Sequence, residues 1–180
     1  MKKYFYLLMV AFFATMSFAL TSCGDDDDEP NDGNGKGIVS CDITVNGTKL
    51  NARVISADYN NGELSIMVNN SFSGAEDMLI FDATVSPLLA GKDVTDVCDV
   101  TPSILTIEEG CALYKTDDNE SGSVFIESYD SSKNTVTVKF SNYTYYSMYC
   151  NGSVAVNGKV KAVINDGTWY SVVTGKEVNF

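Results

Sequence analysis

A chain of 180 residues has the length of one domain, with room for a short leader segment. Its 24 acidic and 12 basic residues give a formal net charge of −12, which argues against nucleic-acid binding because phosphates are held by Lys and Arg. The sequence contains no histidine, and this excludes Ser-His-Asp and Cys-His catalysis as well as zinc sites that use imidazole.

The chain begins with a secretory signal segment over residues 1–22. Lys2 and Lys3 form a basic start, residues 4–20 are almost wholly apolar, and small residues follow. The apolar run is short for a bilayer core, which takes about 20 residues to cross, and the residues after it are acidic rather than basic. We therefore expect the segment to be cleaved rather than retained as a transmembrane helix.

The end of this segment, Leu20-Thr21-Ser22-Cys23, resembles the lipobox of bacterial lipoproteins. The resemblance implies that the Cys23 thiol receives a diacylglyceryl group, that cleavage falls before Cys23, and that this acylated residue becomes the first of the mature chain. Two or more acyl chains on one residue anchor a protein stably, because each buried methylene contributes about 0.8 kcal/mol. Membrane attachment through Cys23 is therefore predicted.

Residues 23–37 have the composition of a flexible acidic tether. Gly24 is followed by five consecutive acids, Asp25 to Glu29, and then by Pro, Asn and Gly, a composition that cannot bury apolar area. The acidic stretch is similar to the export signal of Bacteroidota surface lipoproteins, which implies an outer-membrane protein that faces the cell exterior. The alternative is a plain linker on a lipoprotein that faces the periplasm.

From Ile38 onward the sequence predicts β-strands joined by tight turns. Cys41, Ile43 and Val45 alternate with polar residues, and Asn46-Gly47 supplies the positive φ angles of a hairpin turn. Further strands are predicted over the ranges 50–59, 63–68, 78–85, 104–108, 111–114, 124–129, 135–140, 154–156, 160–164 and 169–173. We expect a short helical turn at residues 88–91 and an irregular excursion over residues 92–102.

Regular short strands with hairpin turns predict an all-β domain over residues 38–180. We expect roughly nine to eleven strands, arranged as an antiparallel β-sandwich or a lipocalin-like open barrel. The Asn-Gly and Asp-Gly pairs at 157–158 and 166–167 are predicted to turn the last strands back on each other.

This part of the chain is similar to small β-rich lipoproteins of Bacteroidota, families mostly of unknown function. The likeness lies in Val45-Asn46-Gly47-Thr48, the strand entry at Gly122 to Ile126, Val138-Lys139-Phe140-Ser141, and the late Val163 to Gly167 turn. It implies a β-rich lipoprotein domain and brings no catalytic residue with it.

Four cysteines remain once Cys23 is assigned to the lipid anchor. Beyond the cytoplasmic membrane disulfides can persist, and four cysteines allow two bridges in three connectivities. We prefer Cys98 with Cys111, which a short excursion separates, and this leaves Cys41 with Cys150. A reducing setting would leave all four as thiols without changing the predicted fold.

The stretch 143–149 is rich in aromatic residues. Alternation places Tyr143, Tyr145 and Tyr149 on one face of a strand, and Trp169 follows in a later strand. Exposed tyrosine and tryptophan rings suit sugar binding, because each combines a flat apolar face with a polar edge. Packing in the core or in a dimer explains the same pattern, since aromatic residues are ordinary in strands.

A second candidate site is a calcium loop at residues 117–122. Asp117, Asn119 and Ser121 place oxygen ligands at alternate positions ahead of Gly122, as at the start of a calcium-binding loop. The bidentate Glu expected twelfth is Ser128 in this chain, and a solvated hairpin turn is the alternative. Apart from this weak candidate, no cofactor is predicted.

The predicted function is that of a lipid-anchored, non-catalytic recognition or accessory module on the cell surface, with a glycan or a protein as partner. The absence of histidine and of nucleophile or metal motifs supports the non-catalytic assignment. A lipocalin-like carrier of a small apolar ligand is the alternative and would need a closed barrel with an apolar cavity. A carboxylate-based hydrolase would need two acids that face each other across a cleft.

Overall fold

The computed structural model describes residues 38–70, 77–104, 119–147 and 152–178. Twelve strands lie in these ranges: β1 (Ser40–Val45), β2 (Thr48–Lys49), β3 (Val54–Asn60), β4 (Glu63–Asn69), β5 (Asp77–Thr84), β6 (Lys92–Asp93), β7 (Cys98–Ile104), β8 (Asn119–Asp130), β9 (Thr135–Ser147), β10 (Gly152–Val163), β11 (Trp169–Ser171) and β12 (Glu177–Val178). One 3-10 turn, Thr95–Val97, precedes β7. No helix in this part of the chain is long and apolar enough to cross a membrane.

The strands form two six-stranded antiparallel sheets. The first sheet has the order β2-β1-β10-β9-β8-β6, and the second has the order β12-β11-β3-β4-β5-β7. The sheets do not close into a barrel, so the predicted all-β fold is confirmed and is consistent with a β-sandwich. Strands β3, β4 and β5 form a meander, with each strand paired to the next.

The core lies between the two sheets and is built by alternation along each strand. On β4, Leu64, Ile66 and Val68 are fully buried, while Glu63 and Met67 between them are exposed. Phe81 of β5 and Phe140 of β9 bring the two sheets together, with ring centroids 5.7 Å apart and planes at 90°. This edge-to-face arrangement is the favourable one for aromatic pairs.

Three Asn-Gly or Asp-Gly turns have a left-handed backbone, and two of them, at 46–47 and 166–167, were predicted. Asn46 and Gly47 have φ angles of 49° and 79°, and they join β1 to β2. Asn61-Gly62 joins β3 to β4 in the same way, and Asp166-Gly167 lies between β10 and β11. Asn and Gly suit these positions because they tolerate positive φ at the lowest steric cost.

The predicted turn at Asn157-Gly158 is wrong. Both residues lie inside β10, which runs without reversal from Gly152 to Val163 and pairs with β1 on one side and β9 on the other. The left-handed glycine, with φ of 105°, belongs to a β-bulge where the register against β9 shifts. The Asn-Gly pair does contain a left-handed glycine, as predicted, but this glycine lies in a β-bulge within a strand and not in a turn.

The irregular excursion predicted over residues 92–102 is wrong, because this stretch contains β6, a 3-10 turn and most of β7. The helical turn expected at residues 88–91 is absent there, and the 3-10 turn lies at Thr95–Val97 instead. Asp93 fixes this turn, because its Oδ1 accepts the Thr95 backbone N–H at 2.9 Å and the Thr95 hydroxyl at 2.5 Å. These two hydrogen bonds lower the pKa of the Asp93 carboxyl.

Candidate functional site

The aromatic stretch of β9 does not form an exposed binding face at the residues that the structure describes. Tyr143 and Tyr145 are fully buried, with ring centroids 5.8 Å apart, and both pack in the core between the sheets. Packing is therefore the correct alternative for these two residues. Tyr149 lies outside the described residues, and Trp169 is half-buried on β11.

Burial raises the pKa of both Tyr143 and Tyr145, because the phenolate form would lose its hydration. The Cys98 thiol lies beside Tyr143 and raises its pKa further. The Tyr145 hydroxyl has no hydrogen-bond partner in the described part of the chain. Tyr145 therefore carries a buried polar atom whose desolvation is not offset.

We expect Tyr145→Phe to stabilise the domain by about 1 kcal/mol, because it removes a buried hydroxyl and no hydrogen bond. Urea unfolding of the full-length mature chain measures this change. Tyr170→Phe is the matched control: the Tyr170 hydroxyl donates to Glu177 Oε1 at 3.1 Å and accepts from Asn165 Nδ2 at 2.9 Å. Tyr170→Phe should destabilise the domain by about 1 kcal/mol. Equal changes in the two variants would contradict the conclusion that the Tyr145 hydroxyl makes no hydrogen bond.

Two of the four remaining cysteines, Cys41 and Cys98, belong to the described residues. Cys41 is a half-buried free thiol on β1, and its predicted partner Cys150 lies outside the described residues. Burial raises the pKa of Cys41 to about 11, so the thiol is a poor nucleophile at neutral pH. Cys98 is buried at the start of β7 beside the Thr95 carbonyl oxygen, 3.6 Å from its Sγ. Its predicted partner Cys111 lies outside the described residues.

The predicted calcium loop is not a loop where the structure describes it. Asn119 and Ser121 lie within β8 and pair with Tyr145 and Thr144 of β9, while Asp117 lies outside the described residues. Backbone that is held in a strand does not wrap around a cation as a calcium loop does. Among the described residues, no group of three His, Cys, Asp or Glu side chains is placed to hold a metal ion.

A polar concavity lies on the outer face of the second sheet. It has an open volume of about 390 Å³. We call it the acidic groove, and its lining residues are Asp58, Asn60, Asn61, Glu63, Ser65, Asp82, Ala83, Thr84, Val97 and Asp99. Of these described lining residues, four are carboxylates and none is Lys or Arg, so the groove is strongly negative.

Strand pairing explains how the carboxylates come together. Asp58 of β3 lies opposite Ser65 of β4, Ser65 lies opposite Asp82 of β5, and Asp82 lies opposite Asp99 of β7. Neighbouring strands are about 4.8 Å apart, so this row crosses four strands in about 14 Å. Asp82 and Asp99 therefore lie side by side on the outer face of the second sheet.

An apolar row lies beside the acidic groove on the same face of the sheet. Trp169 pairs with Ser56, Ser56 with Met67, and Met67 with Ile80. Ser56, Met67 and Ile80 are each two positions along their strands from Asp58, Ser65 and Asp82, a distance of about 7 Å. Met67 is 36 % exposed, whereas Ser56 beside it is 5 % exposed. We call Trp169, Met67 and Ile80 the apolar row.

The outer face of the first sheet has a different character. Glu127 lies between two lysines, 3.7 Å from Lys139 Nζ and 3.5 Å from Lys159 Nζ, and Asp42 pairs with Lys49 at 2.9 Å. The opposite charges of these exposed ion pairs cancel, and the pairs contribute little to the stability of the domain. Charge is therefore separated between the two outer faces, with mixed signs on the first sheet and one sign in the acidic groove.

Sequence reasoning identified Trp169 but missed the acidic groove. Its carboxylates are spread over residues 58–99 and meet only through the pairing of four strands. The available signal was the alternation itself, which places Asp58, Glu63 and Asp82 opposite the apolar faces of their strands.

Comparison of the chain with protein-family models, with curated proteins and with solved structures finds no match.

Proposed function

We propose that this protein is a lipid-anchored, non-catalytic recognition module, displayed on the cell exterior, that holds a partner on the outer face of its second sheet. The observation that carries the proposal is the acidic groove beside the apolar row, a concave polar surface with an apolar and aromatic border. A sandwich supplies a rigid sheet on which such a surface is held in place. The lipobox-like sequence ending at Cys23 supports the anchor.

The lack of histidine in the chain supports binding rather than catalysis, because a general base near neutral pH is most often histidine. The two-sheet architecture also disfavours the lipocalin-like carrier. That function needs a closed barrel around an apolar cavity, and here buried side chains fill the space between two separate sheets.

Display on the cell surface is tested by protease treatment of intact cells that express the full chain, with and without outer-membrane permeabilisation. We expect the mature chain to be digested on intact cells. Protection until the membrane is permeabilised would overturn the surface position. Cys23→Ser is the control for the anchor, and we expect this variant to leave the membrane fraction.

The carboxylate hydrolase is the second candidate, because Asp82 and Asp99 lie side by side on neighbouring strands and both line the acidic groove. Retaining glycosidases hold their two carboxyl groups about 5 Å apart. Incubation of the mature chain with a mixture of oligosaccharides, followed by mass spectrometry, separates the two functions. Cleavage that Asp82→Asn abolishes would replace recognition with hydrolysis as the function.

A further inference from the structure

The described part of the chain contains Asn-Gly pairs at residues 46–47, 61–62 and 157–158. In this dipeptide the backbone nitrogen of the glycine attacks the asparagine side chain readily, because glycine has no Cβ to obstruct the approach. The attack expels ammonia and leaves a ring that water opens to aspartate or isoaspartate. The local structure at each pair decides which asparagine reacts in the folded protein.

Two of these asparagines are held by hydrogen bonds to neighbouring strands. The Asn46 Oδ1 accepts the Ala155 N–H at 2.8 Å, and the Asn46 N–H donates to the Ala155 carbonyl oxygen, also at 2.8 Å. The Asn157 Oδ1, within β10, accepts the Asn142 N–H at 2.7 Å. Ring closure moves the side-chain amide group, so each of these side-chain bonds must break before Asn46 or Asn157 reacts.

Asn61 differs from both, because its side chain is exposed and makes no hydrogen bond or ion pair with any described residue. It lies in the turn between β3 and β4, with a φ of 54°. The Gly62 carbonyl oxygen accepts the Val85 N–H at 2.7 Å, but this bond engages the carbonyl group and not the nitrogen that attacks. The left-handed turn has to open for the reaction, and no side-chain bond opposes rotation of the Asn61 amide.

We propose that Asn61 is a site of spontaneous deamidation in the folded protein. The Gly62 backbone nitrogen bonds to the Asn61 Cγ and loses its proton, the Cγ–Nδ2 bond breaks, and ammonia leaves with that proton. The resulting succinimide takes up one water molecule, which breaks one of the two bonds from the Gly62 nitrogen to the ring. Cleavage of the bond to Cγ gives aspartate, and cleavage of the bond to the backbone carbonyl carbon gives isoaspartate.

The reaction changes the charge of the acidic groove, because Asn61 is one of its lining residues. Both products add a carboxylate beside those of Asp58 and Glu63. Isoaspartate also lengthens the backbone inside the tight turn, and this disturbs the pairing of Asn60 with Glu63. Deamidation therefore makes the groove more negative and, through isoaspartate, loosens the hairpin of β3 and β4.

The test follows deamidation of the full-length mature chain at mildly alkaline pH. Samples taken over time are digested, and tandem mass spectrometry measures conversion of the amide to the acid at each asparagine separately. A parallel sample in urea gives the rates in the unfolded chain. Labelling with an isoaspartyl methyltransferase locates the isoaspartate, and Asn61→Asp is the matched variant, because it has the charge of one product and no side-chain amide at this position.

In the folded chain we expect Asn61 to react at least about fivefold faster than Asn46 or Asn157, the factor that one net hydrogen bond contributes. In urea the three asparagines should react at similar rates, because each precedes glycine. The folded Asn61→Asp chain should release less ammonia than the wild type over the same period.

Either of two results would overturn the inference. Reaction of Asn61 in the folded chain no faster than that of Asn46 and Asn157 would show that their hydrogen bonds do not control the reaction. The same fivefold preference in urea would show that the neighbouring sequence, and not the folded structure, selects Asn61. An Asn61 that stays intact in the folded chain while the unfolded chain reacts is a case of the first result, since the turn then does not open.

Discussion

Gly158→Ala is expected to unfold the domain or to destabilise it by at least about 3 kcal/mol. Gly158 has a φ of 105°, which L-residues with a side chain rarely adopt. A Cβ at this position would overlap the backbone carbonyl oxygen of Asp42 on β1 and lie 2.9 Å from its carbonyl carbon. The obstruction is main chain in a paired strand, so no rotamer change relieves it.

Urea unfolding of the full mature chain, followed by tryptophan fluorescence of Trp169, measures the loss. Gly167→Ala is the matched control, because Gly167 also has a positive φ, 73°, but a Cβ there meets nothing within 4 Å. We expect the control to lose about 1 kcal/mol, the cost of the backbone conformation alone. Similar losses in the two variants would show that β1 does not approach β10 as closely as described.

The contrast between these turn signals shows what the sequence can and cannot predict. Asn46-Gly47 and Asn157-Gly158 are the same dipeptide, and both have left-handed glycines, but only the first reverses the chain. At the second, the Asn157 Oδ1 accepts the Asn142 backbone N–H of β9 at 2.7 Å, so the asparagine joins two strands. Local propensity predicts the backbone angle, whereas long-range pairing decides between hairpin and bulge.

The aromatic residues of β9 illustrate a second limit of sequence pattern. Phe140 is buried, and strict alternation from it would turn Tyr143 and Tyr145 toward solvent. The register shows an extra residue in β9 between Phe140 and Tyr143, and Asn142 there has a φ of 47°. This bulge reverses the phase of the strand and carries both tyrosines into the core. A single left-handed asparagine therefore decides whether the stretch is surface or core.

The all-β class, the meander and most strand positions were predictable because period-two alternation is a local property of the sequence. The candidate site was not predictable, because it depends on which residues of neighbouring strands lie opposite each other. Asp82 and Asp99 are ordinary polar residues in their own strands, and they form one surface only when β5 pairs with β7 residue by residue. From the sequence alone, acidic residues scattered over several strands cannot be told from the ordinary solvent-exposed face of a sheet.

Phe140→Ala should destabilise the domain by about 3–5 kcal/mol, which is a large part of the total stability of a domain of this size. Phe140 is 2 % exposed and Phe81 is fully buried, and their edge-to-face contact at 5.7 Å joins the first sheet to the second. Truncation leaves a cavity that backbone paired on both sides cannot fill. Thermal unfolding of the mature chain, checked with urea, measures the change.

Phe125→Ala is the matched control, because Phe125 lies on β8 with its side chain only half-buried on the outer side of the first sheet. Phe125→Ala removes contacts without opening a cavity, so we expect it to destabilise the domain less than Phe140→Ala does. In a double-mutant cycle, the Phe81→Ala/Phe140→Ala variant should lose about 1 kcal/mol less than the sum of the two single losses, because each single variant already loses the aromatic pair interaction. Additive losses would mean that the two rings stabilise the sandwich only through their separate buried areas and not through their contact with each other.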